Sequence, residues 1–318
     1  MKSFDIRGIT RQSRQGFCCE KHKLVTTSEV DLNETKVGEL RDVEPTGLNR
    51  VLKVGGVCYL NAKPLLYHLG ELCPNLVIEY DVPSRLAEKL ATGDLDIAII
   101  PAVEALRGEG YTVVSDACIA AKKAAKSVIL YSRLPLDRVR SVALDAGSRM
   151  SATLTQVLLA ERYGVRPEIR QFGLDEEPTD VITDAVLLIG DRAMTSKQPP
   201  GFPLRFDLGC EWRKWTNYPF VFALWVARPG VKNLASWHRL FSLARDRGLA
   251  DLVNIARAAS RELVLPFEEC YQYLSENMYY RFGKDEYDSL ALFRAYAIKH
   301  GILPPSAKLA FHSGPDLG

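Results

Sequence analysis

Val54-Gly55-Gly56-Val57-Cys58-Tyr59-Leu60-Asn61-Ala62-Lys63-Pro64-Leu65 sets the architecture of the chain. Apolar Val51–Val57 fits a buried strand, and a helix over Ala62–Leu72 follows almost at once, with Asn61 as its N-cap. A polar amide at a strand-to-helix junction sits where open α/β sheets hold their ligands. The pattern repeats outward. Leu76–Tyr80 reads as a strand and Ser84–Ala91 as a helix, with Pro83 just before it. Asp96–Ile100 reads as a strand ending at Pro101, and a short helix runs on through Leu106. Such alternation predicts parallel pairing with crossover helices.

Further along, Ser127–Tyr131 and Ser141–Leu144 read as strands. Ser148 then caps a helix reaching Tyr163, with Leu154, Val157 and Leu158 on one face. Glu168–Phe172 and Ala185–Ile189 are strands, Ser196–Pro203 is a proline-rich loop, and Phe220–Val226 is an apolar return strand. Helices follow over 234–246, 248–260, 266–278 and 286–300, ended by Pro304 and Pro305. The expected division is a flexible extension over 1–50, the first part of lobe 1 over 51–133, lobe 2 over 134–219, and a return strand with C-terminal helices completing lobe 1 over 220–318. The fold class expected is α/β: two lobes with parallel-rich sheets, two crossing strands and a helical C-terminal segment, as in the type II periplasmic-binding-protein fold. Gly93-Asp94-Leu95-Asp96-Ile97-Ala98 looks like a strand entry common in that fold, although Gly-Asp before a strand is also ordinary turn chemistry.

Composition narrows the function. With 318 residues, 47% of them hydrophobic, the chain can build sizeable cores. A net charge of +2 argues against a nucleic-acid partner or an anionic membrane surface. No apolar run approaches a membrane span, and the arginine-dotted first residues lack the apolar segment of a secretory signal. The expectation is a cytoplasmic protein with a small-molecule partner, no nucleic-acid or membrane partner, and an oligomeric state that the sequence does not give. Seven cysteines, at 18, 19, 58, 73, 118, 210 and 270, form no CxxC pair and show no zinc spacing, so no zinc site is expected. Cys18-Cys19 with His22 is a weak metal signal against the plainer reading of an unstructured tail.

Several residues could carry chemistry. Ser148-Arg149-Met150-Ser151 opens a helix, where unpaired N–H groups and the dipole attract anions and an arginine can grip a carboxylate. Equally, Ser148 is a plain cap and Arg149 a surface charge. Trp215, Thr216, Pro219 and Phe220 suit an apolar wall and second hinge, or simply core. Asp145, Asp191 and Glu104 lie near strand ends and could serve as bases, caps or turn residues.

Tyr59-Leu60-Asn61 with Lys63-Pro64-Leu65, Val82-Pro83-Ser84-Arg85-Leu86-Ala87 and Asp96-Ile97-Ala98-Ile99-Ile100-Pro101 also share a wider likeness. So do Ser127-Val128 with Tyr131-Ser132, Leu144-Asp145, Ser148-Arg149 with Ser151, Leu188-Ile189-Gly190-Asp191, and Trp215-Thr216 with Pro219-Phe220-Val221-Phe222-Ala223. Together, in this order over roughly 51–300, they resemble the chorismate dehydratases of the futalosine route to menaquinone. The resemblance implies a hydro-lyase that removes water from chorismate to give 3-[(1-carboxyvinyl)oxy]benzoate without a cofactor, the substrate's own enolpyruvyl carboxylate taking the proton. It implies catalytic roles for Asn61 and Ser127. It implies substrate binding by Tyr59, Ser84, Lys126, Ser148, Arg149, Met150, Ser151, Thr216 and Phe220. Alternatives of the same fold are a non-catalytic small-anion sensor and the sibling dihydroxynaphthoate synthase.

The chain departs from the family pattern at four places. Lys122-Lys123-Ala124-Ala125-Lys126 replaces an Asp-Gly-Pro-Val-like stretch, Met150 replaces Thr, Asn217-Tyr218 replaces Gly-Leu, and Ala102 replaces Ser. These put the exact substrate in question rather than the fold.

Overall fold

A computed structural model of the chain describes residues 52–108 and 110–312. The extension read over 1–50 and the Cys18-Cys19 and His22 signal lie outside the described residues. In chain order the strands are β1 (Lys53–Val57), β2 (Val77–Asp81), β3 (Ile97–Pro101), β4 (Thr112–Ala121), β5 (Val128–Ser132), β6 (Ser141–Asp145), β7 (Glu168–Phe172), β8 (Ala185–Ile189), β9 (Leu204–Asp207), β10 (Phe220–Ala227) and β11 (Met278–Arg281). They form a six-stranded sheet, β11-β4-β10-β3-β1-β2, and a five-stranded sheet, β7-β6-β8-β5-β9.

The two sheets share a plan. In the first, β1 pairs in parallel with β2 and β3, and β10 runs antiparallel between β3 and β4. In the second, β6 pairs in parallel with β7 and β8, and β5 runs antiparallel between β8 and β9. Each parallel half is the βαβ alternation visible in the sequence. Each antiparallel half is built around a strand inserted out of turn, which makes both sheets mixed. All eight residues of β10 are buried, which is why that stretch reads as continuously apolar.

The local reading needs correction in three places. The strand beginning after Ser127 belongs to the second sheet, not with β1–β4, so the chain crosses between sheets at residues 122–127 rather than near 133. Strands β4, β9 and β11 went unread. β4 is buried along nearly its whole length and shows no alternation. The helix expected over 266–278 stops early: α10 (Phe267–Gln272) passes into a π-helical turn, Tyr273–Asn277, and then into β11.

Helices cover both sheets. They are α1 (Lys63–Leu66), α2 (Leu69–Leu72), α3 (Pro83–Thr92), α4 (Ala102–Arg107), α5 (Arg149–Glu161), α6 (Gly190–Thr195), α7 (Leu208–Thr216), α8 (Leu234–Ala250) and α9 (Leu252–Leu263), then α10, and last α11 (Lys284–Lys299). The first expected helix is broken into a 3-10 turn over Leu60–Ala62 followed by α1 and α2, and the Asn61 side chain makes no capping bond.

The chain passes between the sheets a second time near Asn217, and α11 adds a seam. Trp212 on α7 donates through Nε1 to Ser289 Oγ on α11 at 3.0 Å. Its ring meets Phe220 and Phe293 edge-on, while Trp215 stacks on Tyr296. Among the described residues, no helix is long and apolar enough to cross a membrane, and the five cysteines form no disulfide.

Candidate active site

The carboxyl ends of β1 and β3 face the second sheet across a cavity of about 40 Å³. Its polar lining is Tyr59 and Asn61 after β1, Ser127 on the first crossing segment, and Ser148 and Ser151 at the start of α5. Val57, Ile119, Val128, Ile189 and Phe222 supply apolar wall. No Lys, Arg or His is among the described residues that line it.

Asn61 and Ser127 meet on one buried phenol. Tyr273, on the π turn, donates its hydroxyl to Ser127 Oγ at 2.7 Å, and Ser127 donates in turn to the Ala125 carbonyl at 3.2 Å. The Asn61 amide lies beside the same phenol. Asn61 Oδ1 is buried and has no partner. Burial pushes the Tyr273 phenol far above its ordinary range, against the smaller opposing effect of its bond to Ser127, so it keeps its proton.

The crossing segment is gripped from two sides. Asp207, at the end of β9, accepts from the N–H groups of Ala125 (2.9 Å) and Lys126 (2.7 Å), and from Cys210 (3.1 Å) as cap of α7. From the other side, Gln272 bonds Lys126 Nζ and Asn277 bonds the Ala124 carbonyl. These bonds hold Lys126 at φ 55°, a left-handed backbone that a lysine adopts only at a cost.

On the second-sheet side, Ser148 caps α5, accepting from Ser151 N–H, and its hydroxyl donates to Ser151 Oγ at 3.0 Å. Tyr59 closes against two glycines. A Cβ on Gly190, at φ +59°, would lie 2.9 Å from the tyrosine ring, and one on Gly147 would lie 3.0 Å from its hydroxyl. Beside it, Leu60 N–H donates to Asp191 Oδ1 at 2.9 Å and Ser84 N–H to the Gly147 carbonyl, both from one sheet's side to the other's. Asp145 accepts from Gly147 N–H at 2.8 Å. Burial raises both Asp145 and Asp191 to about 6, even though Arg192 opposes the rise at Asp145 and the Leu60 N–H at Asp191.

Of the residues singled out in the sequence, Tyr59, Asn61, Ser127, Ser148 and Ser151 converge on the cavity. Ser84 is buried outside the lining, its N–H bonded to the Gly147 carbonyl. The others lie elsewhere. Arg149 turns away to Glu88 on α3 and to Glu104 on α4 at 3.3 Å, so neither Arg149 nor Glu104 faces the cavity. Lys126 points to Gln272. Met150 is fully buried in core. Thr216 bonds the Trp212 carbonyl within α7. Phe220 packs on Trp212 and Phe293. Asn217 takes φ 61° at the C-cap of α7, a conformation that asparagine tolerates in place of glycine. Sequence reasoning missed Tyr273, Asp207 and Phe222. Asp207 before the apolar start of α7 was a legible cap signal; a π turn leaves no comparable signature.

Two α/β sheets of one strand order, joined by crossing segments and enclosing a largely apolar cleft with a few polar groups, define a periplasmic-binding-protein-like protein. Solved structures agree on the fold. A protein of Archaeoglobus fulgidus is 13% identical, with a TM-score of 0.61 over 79% of this chain and 98% of that one. The alkanesulfonate-binding protein of Xanthomonas axonopodis pv. citri, bound to MOPS, is 14% identical, with a TM-score of 0.57 over 80% of this chain and 95% of that one. The menaquinone biosynthesis family model matches residues 52–299, and the chain belongs to that family. It is similar to the chorismate dehydratase of Thermus thermophilus, 30% identical over 264 residues, covering 77% of this chain and 93% of the relative.

Proposed function

We propose that this protein is a chorismate dehydratase, an enzyme that eliminates water from chorismate to give 3-[(1-carboxyvinyl)oxy]benzoate. The observation that carries the reading is the pairing of a partnerless Asn61 Oδ1 with the Ser127 hydroxyl in one small cleft, in a chain of the menaquinone biosynthesis family.

In this reading the ring C–H and the neighbouring ring C–O bonds break, the ring becomes aromatic, and the hydroxyl leaves as water. The substrate's enolpyruvyl carboxylate takes the ring proton, as the family resemblance implies, and passes it to the departing hydroxyl oxygen, so that water leaves and the carboxylate is restored. The start of α5, with Ser148 and Ser151, offers N–H and O–H donors to one carboxylate. Asn61 and Ser127 orient the reacting ring. Catalysis is then mainly orientation in a closed, water-poor site, an effect worth about 7–11 kcal/mol in well-arranged systems. A cavity of about 40 Å³ is smaller than such a substrate, so the sheets part to admit it.

The test is incubation of purified protein with chorismate, followed by chromatography with mass detection. Enzyme-dependent formation of a product one water lighter, co-eluting with the carboxyvinyloxy-benzoate, is the expected result. Unchanged chorismate from folded protein would overturn the reading, and turnover of cyclic dehypoxanthinyl futalosine would replace it with the sibling synthase.

A further inference from the structure

We propose that Tyr273 is a positioning residue that sets the polarity of the cleft, turning Asn61 to present an acceptor and Ser127 to present a donor. Tyr273 lies on the π turn between α10 and β11 and is not among the residues lining the cavity. It acts through the two that are.

The argument follows the protons. A phenol has one hydrogen to give, and this one keeps it because burial holds its ionisation far above neutrality. The hydrogen goes to Ser127 Oγ at 2.7 Å. With that lone pair occupied, Ser127 has its own hydrogen left to direct. It now rests on the Ala125 carbonyl at a long 3.2 Å and is available to an acceptor in the cleft. The phenol oxygen can accept only if the Asn61 NH2 end faces it. The carbonyl end, Oδ1, is then left buried and partnerless. A buried acceptor without a partner is costly and rare, so it calls for a donor supplied by a ligand. The ligand class that fits carries a hydroxyl on the Asn61 side and a carboxylate or ether oxygen on the Ser127 side.

The kinetic consequence rests on the proposed dehydratase activity. Tyr273→Phe keeps the ring and removes the hydroxyl that bonds Ser127 and faces Asn61. Its kcat should fall at least about tenfold with KM within about twofold, and adding it to Ser127→Ala should cost little more, because the two act as one unit. Tyr280→Phe is the control: that phenol is equally buried but has no partner, so its loss should leave kcat unchanged. An unchanged kcat in Tyr273→Phe, a loss additive with Ser127→Ala, or an equal fall in Tyr280→Phe would overturn the proposal. Should the wild-type protein leave chorismate intact, the dehydratase reading fails separately, and a crystal structure of Tyr273→Phe decides the positioning role. A rotated Ser127 or Asn61, or a water in place of the phenol oxygen, supports it; both side chains unmoved with no water overturns it.

Discussion

An amide oxygen buried without a partner costs about 1–3 kcal/mol of desolvation, and Asn61 Oδ1 is such an atom. A stability-neutral site would not keep it, so removing it should separate stability from activity. Asn61→Ala is expected to lower turnover about 100-fold or more, with a melting temperature equal to or above that of wild type; near-wild-type turnover would remove Asn61 from the catalytic set. Asp145 and Asp191 invite a different measurement. Both are raised to about 6 by burial, against an ordinary aspartate value of about 3.9. Between those values the folded chain holds protons that the unfolded chain has lost. Their contribution to stability is therefore full below about pH 4 and lost as pH rises past about 6. Asp145→Asn keeps an acceptor for the Gly147 N–H, so it should flatten the fall in melting temperature between pH 4 and 6.5. A slope identical to wild type would show that Asp145 does not titrate there.

At the scale of elements, the crossing segment at 122–127 depends on Asp207, which holds two of its N–H groups and caps α7 as well. Asp207→Ala leaves buried amides unpaired and a helix uncapped, so a loss of about 2–4 kcal/mol in urea unfolding is expected; a change below about 0.5 kcal/mol would refute the clamp. The parallel halves of both sheets were legible because βαβ units write their strands, turns and caps locally: β7 and β8 match their sequence reading residue for residue. The antiparallel halves were legible only at their central strands, β5 and β10, whose buried residues read as apolar runs. β4, β9 and β11 take their pairing from distant chain, and β11 is cut from a helical pattern by a π turn. The site divides in the same way. Asn61, Ser127, Ser148 and Ser151 sit at strand ends and helix starts that local patterns mark. The destination of Arg149 depends on Glu88 and Glu104, which only the folded arrangement brings near. Likewise the lysines of 122–126 stay outside the cleft lining: Lys122 lies over the Tyr279 ring, and Lys126 reaches Gln272.

Across the whole molecule the two sheets are held by unequal bonds. Arg149 with Glu88 and Glu104 ties them at the cleft, where partial exposure limits an ion pair to about 1 kcal/mol or less. Arg149→Ala should therefore shift substrate affinity by less than about fivefold; a hundredfold loss would return it to the binding site. The seam along α11 is apolar and stronger. Trp212→Ala removes a fully buried indole and leaves Ser289 Oγ without its donor, an expected cost of about 3–5 kcal/mol. Calorimetry should then resolve one broad or split transition in place of a single sharp one.

That seam also places two of the chain's four indoles, Trp212 and Trp215, where the two halves of the molecule meet. The other two, Trp225 and Trp237, are packed with Phe241 inside one half. The protein thus carries a built-in optical gauge. Emission from the first pair should respond to any rotation of one half on the other while the second pair holds a steady baseline, so ligand entry can be timed in a stopped-flow instrument without a dye.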